Sequence, residues 1–234
     1  MRIAVDIDGP VARFNDTFIP FCNEQFNLNN KPEDITHYDY ISSPNIQITA
    51  VQLKQAFELF TEEGGWYWPY PEKDVQQFLQ KISYTTEITY ITSRPRYTAN
   101  QTITWLSNWD LAFGDILFVH SSEKAEVAKS LGCVYAVEDH PETCKDYANN
   151  GIKCFLWDMP FNQKVKGKNI VRVKNWDQVY KYLYDDMISY FEKKYLMAID
   201  SLTLFNDMTY EEKKIYASKC AKRYCLSDYT EKDQ

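Results

Sequence analysis

Short apolar runs and helical stretches alternate along most of the chain. The apolar runs have the length of buried strands and several end in polar residues; they cover residues 3–5, 87–91, 116–119, 134–137, 153–157 and 171–173. Apolar residues also recur at helical spacing, in residues 73–83, 99–109, 124–131, 142–149 and 176–184. This alternation predicts an α/β fold: a Rossmann-like parallel sheet with right-handed crossovers and helices on both faces.

Residues 15–72 interrupt the alternation. Around this stretch the pattern predicts a helix at residues 11–26, a turn-rich segment at 27–50, a second helix at 51–60 and an aromatic loop at 62–71. Because the interruption follows the first strand, we expect a small helical cap over the carboxyl edge of the sheet. The core would then consist of residues 1–14 and 73–184.

The last part of the chain, residues 185–234, is predicted to be a C-terminal helical extension. Helical patterns cover 187–202 and 210–224, and Thr209 begins a sequence typical of a helix N-cap. A docked helical appendage without catalytic residues is the simpler interpretation. A role in forming a homo-oligomer stays open.

Composition narrows the class of protein. Of the 234 residues, 44% are hydrophobic and 25% are charged, which is typical of a folded domain rather than a disordered chain. The formal charge of −7 argues against a protein that mainly binds nucleic-acid backbone. Six scattered cysteines, no secretory pattern and no apolar run near the roughly 20 residues of a membrane helix predict a cytoplasmic location.

Two carboxylates stand at the end of the first predicted strand. Asp6 and Asp8 are two residues apart. Because side chains along a strand alternate between its two faces, both carboxylates leave on the same face, and Gly9-Pro10 then ends the strand. Such a pair can share a divalent cation or divide the roles of nucleophile and acid/base. An acidic turn without chemistry is the alternative for this motif taken alone.

Other predicted strand ends add hydroxyls, an ammonium group and further acids. Because carboxyl ends of parallel strands meet at one edge, we expect these groups to converge. They suit metal-assisted phosphoryl transfer to water, in which Asp6 attacks phosphorus, Asp8 protonates the leaving oxygen, and Asp6 and Asp139 hold a cation. The predicted phosphate-binding residues are Thr92, Ser93 and Lys124.

These groups resemble, in order, the four motifs of the haloacid dehalogenase superfamily of phosphatases. The motifs are Asp6-Ile-Asp-Gly, Ile91-Thr-Ser, Lys124 and Glu138-Asp139, and the resemblance spans about residues 1–184. It implies a phosphoaspartate on Asp6, Asp8 as acid/base, and Mg2+ bound by Asp6, the Asp8 backbone carbonyl and Asp139. The second acid argues against a dehalogenase, which has no leaving alkoxide to protonate.

Within that superfamily the chain is most similar to the 5'(3')-deoxyribonucleotidases. The likeness rests on residues 6–14, on Gly65-Trp-Tyr-Trp-Pro-Tyr-Pro, on Thr92-Ser93 and on the segments beginning at Phe155 and Trp176. It makes Phe14, Trp66 and Trp68 candidates for stacking on a nucleobase, with packing inside the cap as the alternative. Pro10 and Arg13 depart from the family pattern and leave base and sugar preference open.

For several other polar residues the sequence allows more than one role. Arg94 follows the predicted phosphate residues and is expected to contact phosphate or base. Lys124 is preferred over Lys129 because it begins its helix, nearer the sheet edge. Glu138 is expected to orient or tune the metal ligands. The three histidines are far apart in sequence and are interpreted as ordinary polar surface.

We therefore expect a Mg2+-dependent phosphatase that hydrolyses 5'-(deoxy)nucleoside monophosphates. A phosphatase for another small phosphoester, such as a sugar phosphate, is the alternative among enzymes. A catalytically silent nucleotide-binding or scaffold protein is the alternative from another class. The expected partner is a small nucleotide, with neither a membrane nor a stable nucleic-acid partner.

Overall fold

A six-stranded parallel sheet forms the centre of the fold. The computed structural model describes residues 1–230, and the side chains of all of these except 203 and 224–230. The strands are β1 (Arg2–Val5), β2 (Glu87–Thr92), β3 (Gly114–Phe118), β4 (Tyr135–Glu138), β5 (Lys153–Trp157) and β6 (Ile170–Val173). They lie in the order β3-β2-β1-β4-β5-β6, and every adjacent pair is parallel. The predicted α/β fold and its six strands are confirmed.

The strand order reverses between β1 and β4. From β1 the chain proceeds outward through β2 to β3, and from β4 it proceeds outward in the opposite direction. In open parallel sheets, such a reversal leaves a crevice at the carboxyl ends of the two central strands. Ile3, Ala4 and Val5 are buried, although their side chains alternate between the two faces of the sheet, and β1 ends just before Asp6.

Eight helices accompany the sheet in the described part of the chain. They are α1 (Phe14–Phe26), α2 (Ala50–Glu62), α3 (Val75–Ser83), α4 (Ala99–Asn108), α5 (Lys124–Ser130), α6 (Pro141–Asn149), α7 (Trp176–Ser201) and α8 (Tyr210–Thr230). The first two form the insertion after β1 that the sequence predicts. Their shared interface is aromatic, with Phe14, Phe18 and Phe60 all buried.

Helix α1 begins at Phe14 rather than at the predicted residue 11. The N–H of Arg13 donates to the Tyr70 carbonyl (2.9 Å), and the N–H of Glu72 donates to the Val11 carbonyl (2.8 Å). The segment that enters the insertion therefore pairs with the segment that leaves it, through an antiparallel bridge between Ala12 and Pro71. Residues 11–13 form a turn and an isolated bridge instead of the first turn of a helix, because this pairing uses backbone groups of Val11 and Arg13.

In the C-terminal region, one continuous helix replaces two helices that the sequence predicts. Residues predicted as two helices, 176–184 and 187–202, form the single 26-residue helix α7, because neither glycine nor proline interrupts them. The chain divides into two compact units between Trp176 and Asp177, so the predicted boundary at 185 lies inside α7.

In the second unit, α8 begins with the predicted capping motif. The Thr209 N–H donates to Glu212 Oε2 (2.8 Å), and the Glu212 N–H donates back to Thr209 Oγ1 (3.3 Å). Lys213 Nζ lies 3.0 Å from Asp200 Oδ1 and joins α8 to the end of α7. The extension was predicted to reach residue 234, but 231–234 lie outside the described residues.

No helix within residues 1–230 is long and apolar enough to cross a membrane. The five cysteines with described side chains are free thiols. The sixth, Cys225, lies outside the described side chains.

Candidate active site

A cavity of about 660 Å3 opens at the carboxyl edge of the sheet, beneath the helical insertion. The core contributes polar lining residues from several strand ends and from the start of α5: Asp6, Asp8, Ser93, Arg94, Lys124 and Asp139. The insertion contributes a largely aromatic wall that includes Phe14, Tyr38, Tyr40, Phe57 and Trp66. The predicted convergence of groups from separate strands therefore exists, with the exceptions described below.

Lys124 joins the ends of β1 and β4. Its Nζ lies 2.8 Å from Asp6 Oδ1 and 3.0 Å from Glu138 Oε2, and all three side chains are almost completely buried. Burial alone would lower the pKa of Lys124, but the two carboxylates outweigh it and raise that pKa, so the ammonium group stays charged. Lys129, the other candidate, instead bonds to Asn150 at 3.3 Å in an exposed position.

Glu138 uses both of its carboxylate oxygens within the protein. Oε2 accepts from Lys124, and Oε1 accepts from the backbone N–H groups of Asp139 (3.2 Å) and His140 (3.1 Å). This arrangement fixes the turn after β4 that carries Asp139. It supports the predicted orienting role of Glu138 rather than a role as a metal ligand.

Three carboxylates in this region approach one another closely. Oxygens of Asp6, Glu138 and Asp139 lie within 4.8 Å of one another. Burial raises the pKa of Asp6 well above its usual value, Glu138 raises it further, and Lys124 lowers it. Burial raises the pKa of Asp139 in the same way, with contributions from Glu138 and Asp6.

The donor set fits a divalent cation. Three buried carboxyl groups lie close together and only one ammonium group pairs with them, so their full ionisation would leave negative charge that a cation could balance, and carboxylate oxygens are the ligands that Mg2+ prefers. Because Glu138 is already bonded on both oxygens, Asp6 and Asp139 are the side chains that would hold the ion. The Asp8 backbone carbonyl, which the resemblance adds as a ligand, stays a prediction.

Asp139 is held from two further sides. Gly9 adopts φ +103°, and a Cβ atom at this position would lie 2.3 Å from Asp139 Oδ2, so only glycine allows this approach. The buried amide of Asn162 donates to the carbonyls of Asp139 (2.9 Å) and Trp157 (2.7 Å). The sequence pattern marks Gly9 only as the end of a strand and gives no signal for the contact of Asn162.

Arg94 lines the cavity, and its side chain is paired with an acid. Its Nε and Nη2 donate to the two carboxylate oxygens of Asp8, at 2.9 and 2.7 Å, and its side chain has no exposed surface. Its guanidinium carbon lies 5.0 Å from the ring centre of Trp66 and 5.6 Å from that of Trp105. The structure thus pairs Arg94 with the predicted acid/base residue.

The two predicted phosphate-binding hydroxyls differ in position. Thr92 is buried and does not line the cavity, and its Oγ1 accepts from the backbone N–H of Arg94 at 3.1 Å. Ser93 is exposed and lines the cavity. Of the two, Ser93 lines the cavity and Thr92 does not, and the phosphate-binding roles predicted for both stay predictions.

The three residues predicted to stack on a base also differ in whether they line the cavity. Phe14 and Trp66 line the cavity, with rings stacked on each other at 5.3 Å. Phe14 is only 8% exposed, because Phe18 and Phe60 also contact it, so cap packing accounts for most of its surface. Trp68 does not line the cavity: its ring packs against Phe21 and Phe60.

Tyr38 is a cavity residue that sequence reasoning missed. It comes from the turn-rich segment 27–50, and its ring packs edge-on against His140 (4.0 Å) and Phe161 (5.6 Å) of the core. Nothing in the hydrophobic pattern singles it out. The histidines do not gather into a metal site within the described residues: His120 and His140 accept backbone N–H groups at the starts of helical turns.

The chain is similar to known proteins in sequence and in fold. The family model described as 5' nucleotidase, deoxy (pyrimidine), cytosolic type C protein matches residues 1–189. A nucleotidase of Clostridium acetobutylicum is 26% identical over 185 residues, covering 77% of this chain and 92% of the relative.

Two solved structures share the fold at low sequence identity. A haloacid dehalogenase-like hydrolase from Streptococcus pneumoniae has a TM-score of 0.58 at 10% identity and covers 78% of this chain and 97% of its own. A haloacid dehalogenase family hydrolase from Deinococcus radiodurans, solved with bound phosphate and sodium, has a TM-score of 0.56 at 12% identity. That match covers 79% of this chain and 95% of the other.

Proposed function

The chain belongs to the cytosolic type C 5'-nucleotidase family of the haloacid dehalogenase superfamily, and on this premise we propose that it hydrolyses 5'-(deoxy)nucleoside monophosphates with Mg2+ as cofactor. The class of enzyme, a phosphoric monoester hydrolase, follows from the family. The proposal adds the substrate class, the metal and the residues that act. The observation that carries it is the junction of Asp6, Lys124 and Asp139 with an aromatic-walled cavity.

In the first half of the proposed reaction, a carboxylate oxygen of Asp6 attacks phosphorus. A bond forms between phosphorus and Asp6, the bond from phosphorus to the 5' oxygen breaks, and Asp8 gives its proton to that oxygen. In the second half, water attacks the phosphoaspartate and gives a proton to Asp8, and Asp6 leaves as a carboxylate. The products are a nucleoside and inorganic phosphate.

Charge compensation decides whether Asp6 can act. Asp6 must be ionised to attack, although burial and Glu138 favour its neutral form. Lys124 opposes this effect at 2.8 Å from Asp6 Oδ1, and from there its ammonium group can also attract a phosphate oxygen. A divalent cation held by Asp6 and Asp139 would supply further positive charge against the nucleophile and the phosphate.

The aromatic wall supports a substrate with a flat base. Phe14, Phe57 and Trp66 line the same cavity as the acids, and base–aromatic stacking contributes about 1–3 kcal/mol per base. A sugar phosphate would leave this apolar surface without a matching group. The family's description supports deoxypyrimidine monophosphates as the first substrates to test, and its cytosolic type supports a cytoplasmic location.

Phosphate release tests the proposal. The purified protein is incubated with a panel of ribo- and deoxyribonucleoside 5'-monophosphates and sugar phosphates, with MgCl2 or with EDTA. We expect Mg2+-dependent release that is fastest with nucleotides and is lost in Asp6→Asn. Faster release from sugar phosphates would overturn the substrate class, and undiminished release in EDTA would overturn the metal requirement.

A further inference from the structure

We propose that Arg94 is a positioning residue that fixes the orientation of the Asp8 carboxylate, and that it acts through Asp8 instead of binding the phosphate group. This inference rests on the proposed function, since it assigns Asp8 to proton transfer. It replaces the substrate-binding role that the sequence predicts for Arg94. The juxtaposition that carries it is the two-pronged ion pair between Arg94 and Asp8.

The geometry of the pair restrains the carboxylate in a plane. Nε and Nη2 of Arg94 each donate to a different oxygen of Asp8, at 2.9 and 2.7 Å. Two parallel bonds fix the rotation of the ionised carboxylate. When Asp8 carries the proton that it donates, one of its oxygens becomes an O–H donor, and the bond from Arg94 to the other oxygen keeps the group in place. Asp8 lines the cavity immediately before the turn at residues 9–11, and its side chain is 25% exposed, so this pair supplies much of its restraint.

Arg94 is itself held on several sides. Nη1 lies 3.3 Å from Thr102 Oγ1, and the backbone N–H donates to Thr92 Oγ1 at 3.1 Å. The guanidinium group lies near the ring faces of Trp66 and Trp105, within the range of cation–π attraction. A residue anchored in this way has little freedom to turn toward an incoming phosphate.

The two indole rings are fixed in turn. Trp66 donates from Nε1 to Thr61 Oγ1 at 3.0 Å, and Trp105 donates from Nε1 to the Pro69 carbonyl at 2.8 Å. Thr61 and Trp66 belong to the helical insertion, so the restraint on Asp8 extends into the cap. The acid/base residue is therefore oriented by the same element that forms the aromatic wall.

Two substrates separate the roles. A nucleoside monophosphate releases an alkoxide that needs a proton, whereas 4-nitrophenyl phosphate releases a stable phenolate that does not. The ratio kcat/KM reports the steps up to formation of the phosphoaspartate, so it excludes the later role of Asp8 as a base. An arginine that binds phosphate affects both substrates equally, and one that orients Asp8 affects only the nucleotide.

The test measures kcat/KM for both substrates in the wild-type protein, Arg94→Met and Arg94→Lys, with Mg2+ present. We expect both variants to lower the nucleotide value at least about 10-fold, within the range for lost acid–base catalysis, and to lower the aryl value less than about threefold. Arg94→Lys keeps the charge but loses the planar fork, so its defect separates orientation from charge. Arg96→Met, at an exposed residue outside the cavity lining, is the matched control and should change neither value.

A double variant and a binding measurement complete the test. In Asp8→Asn, adding Arg94→Met should lower the nucleotide value no further than about threefold, because the target of Arg94 is already lost. The inhibition constant of inorganic phosphate should be unchanged in Arg94→Met. Turnover of 4-nitrophenyl phosphate also reports that each variant is folded.

Equal losses for both substrates, a weaker phosphate inhibition constant, or full additivity with Asp8→Asn would each overturn the inference. If the wild-type protein hydrolyses 4-nitrophenyl phosphate but no nucleotide, the proposed substrate class fails. The Arg94 test then proceeds with an alkyl phosphate that the protein accepts. Inactivity of the wild-type protein on every phosphomonoester would overturn both proposals.

Discussion

At the scale of single residues, the site is shaped by how buried charges are compensated. Lys124 forms ion pairs with both Asp6 and Glu138, and Arg94 forms an ion pair with Asp8. Asp139 is the acid of this group for which no described cation lies within ion-pair distance, and burial raises its pKa. Asp139 is therefore the side chain for which a metal ion would change the local charge balance most.

Gly9 allows a test of how closely the backbone must approach Asp139. In Gly9→Ala, the new Cβ would collide with Asp139 Oδ2, so we expect at least a 10-fold weaker activation by Mg2+. The positive φ should also cost about 1–3 kcal/mol in the free energy of unfolding. Titration of activity with MgCl2 and urea unfolding measure the two effects.

Gly132→Ala is the matched control for this prediction. Gly132 also has a positive φ, +74°, but a Cβ there meets no atom within 4 Å. It should lose stability for the same backbone reason and keep the wild-type response to Mg2+. Equal Mg2+ activation in the two variants would contradict a role for the contact between Gly9 and Asp139.

At the scale of elements, the helical insertion does two things at once. Its aromatic core, which includes Phe18 and Phe60, holds α1 and α2 together, and its inner edge forms one wall of the cavity. The antiparallel pairing of Ala12 with Pro71 fixes where the insertion leaves the core. The helical insertion is therefore joined to the core at a fixed point. Some of its aromatic side chains pack between α1 and α2, and others line the cavity.

Trp66 and Trp68 provide a comparison within this element. Trp66 lines the cavity and contacts Arg94, whereas Trp68 is 41% exposed and lies outside the lining. We expect Trp66→Leu to lower kcat/KM for nucleoside monophosphates at least about 10-fold, because the Trp66 ring packs against Phe14 in the cavity wall and against the Arg94 guanidinium that holds Asp8. Trp68→Leu should change it less than about threefold. Steady-state kinetics of the two variants measure the difference. Similar losses of kcat/KM in both would contradict the assignment of Trp66, and not Trp68, to the wall of the cavity.

At the scale of the whole molecule, the reversal of strand order brings distant segments together. The ends of β1 and β4 are neighbours in the sheet although more than a hundred residues separate them in sequence, and Asp6 therefore meets Asp139. Concentrating acids at one point costs folding free energy, because like charges in a buried place repel one another. A cation that binds only the folded state would offset this cost.

Metal binding should therefore stabilise the fold as well as support activity. At a Mg2+ concentration about 100 times its dissociation constant, we expect the free energy of unfolding to rise by about 2.7 kcal/mol. Urea unfolding in MgCl2 and in EDTA, at matched ionic strength, measures this difference. Asp139→Asn should abolish it, and an equal rise in that variant would show that Mg2+ acts elsewhere.

Much of the fold and part of the site could be read from local patterns. The alternation of strands and helices, the cap after β1, and the positions of Asp6, Asp8, Lys124 and Asp139 all depend on short stretches of sequence. A strand's burial and its polar end are properties of four to eight consecutive residues, so the chain itself carries them. The join of two predicted helices into α7 was missed, because a short polar run does not break a helix.

The amino-acid sequence by itself determined the type of sheet, the order of the motifs and the acids that meet at its edge. Only the tertiary structure decided that Arg94 pairs with Asp8, that Tyr38 and Trp66 line the cavity, and that Trp68 does not. The physical reason is the range of the interactions. Periodicity reflects neighbours along the chain, whereas the partner of a buried charge or an aromatic ring is chosen by segments that meet only after folding.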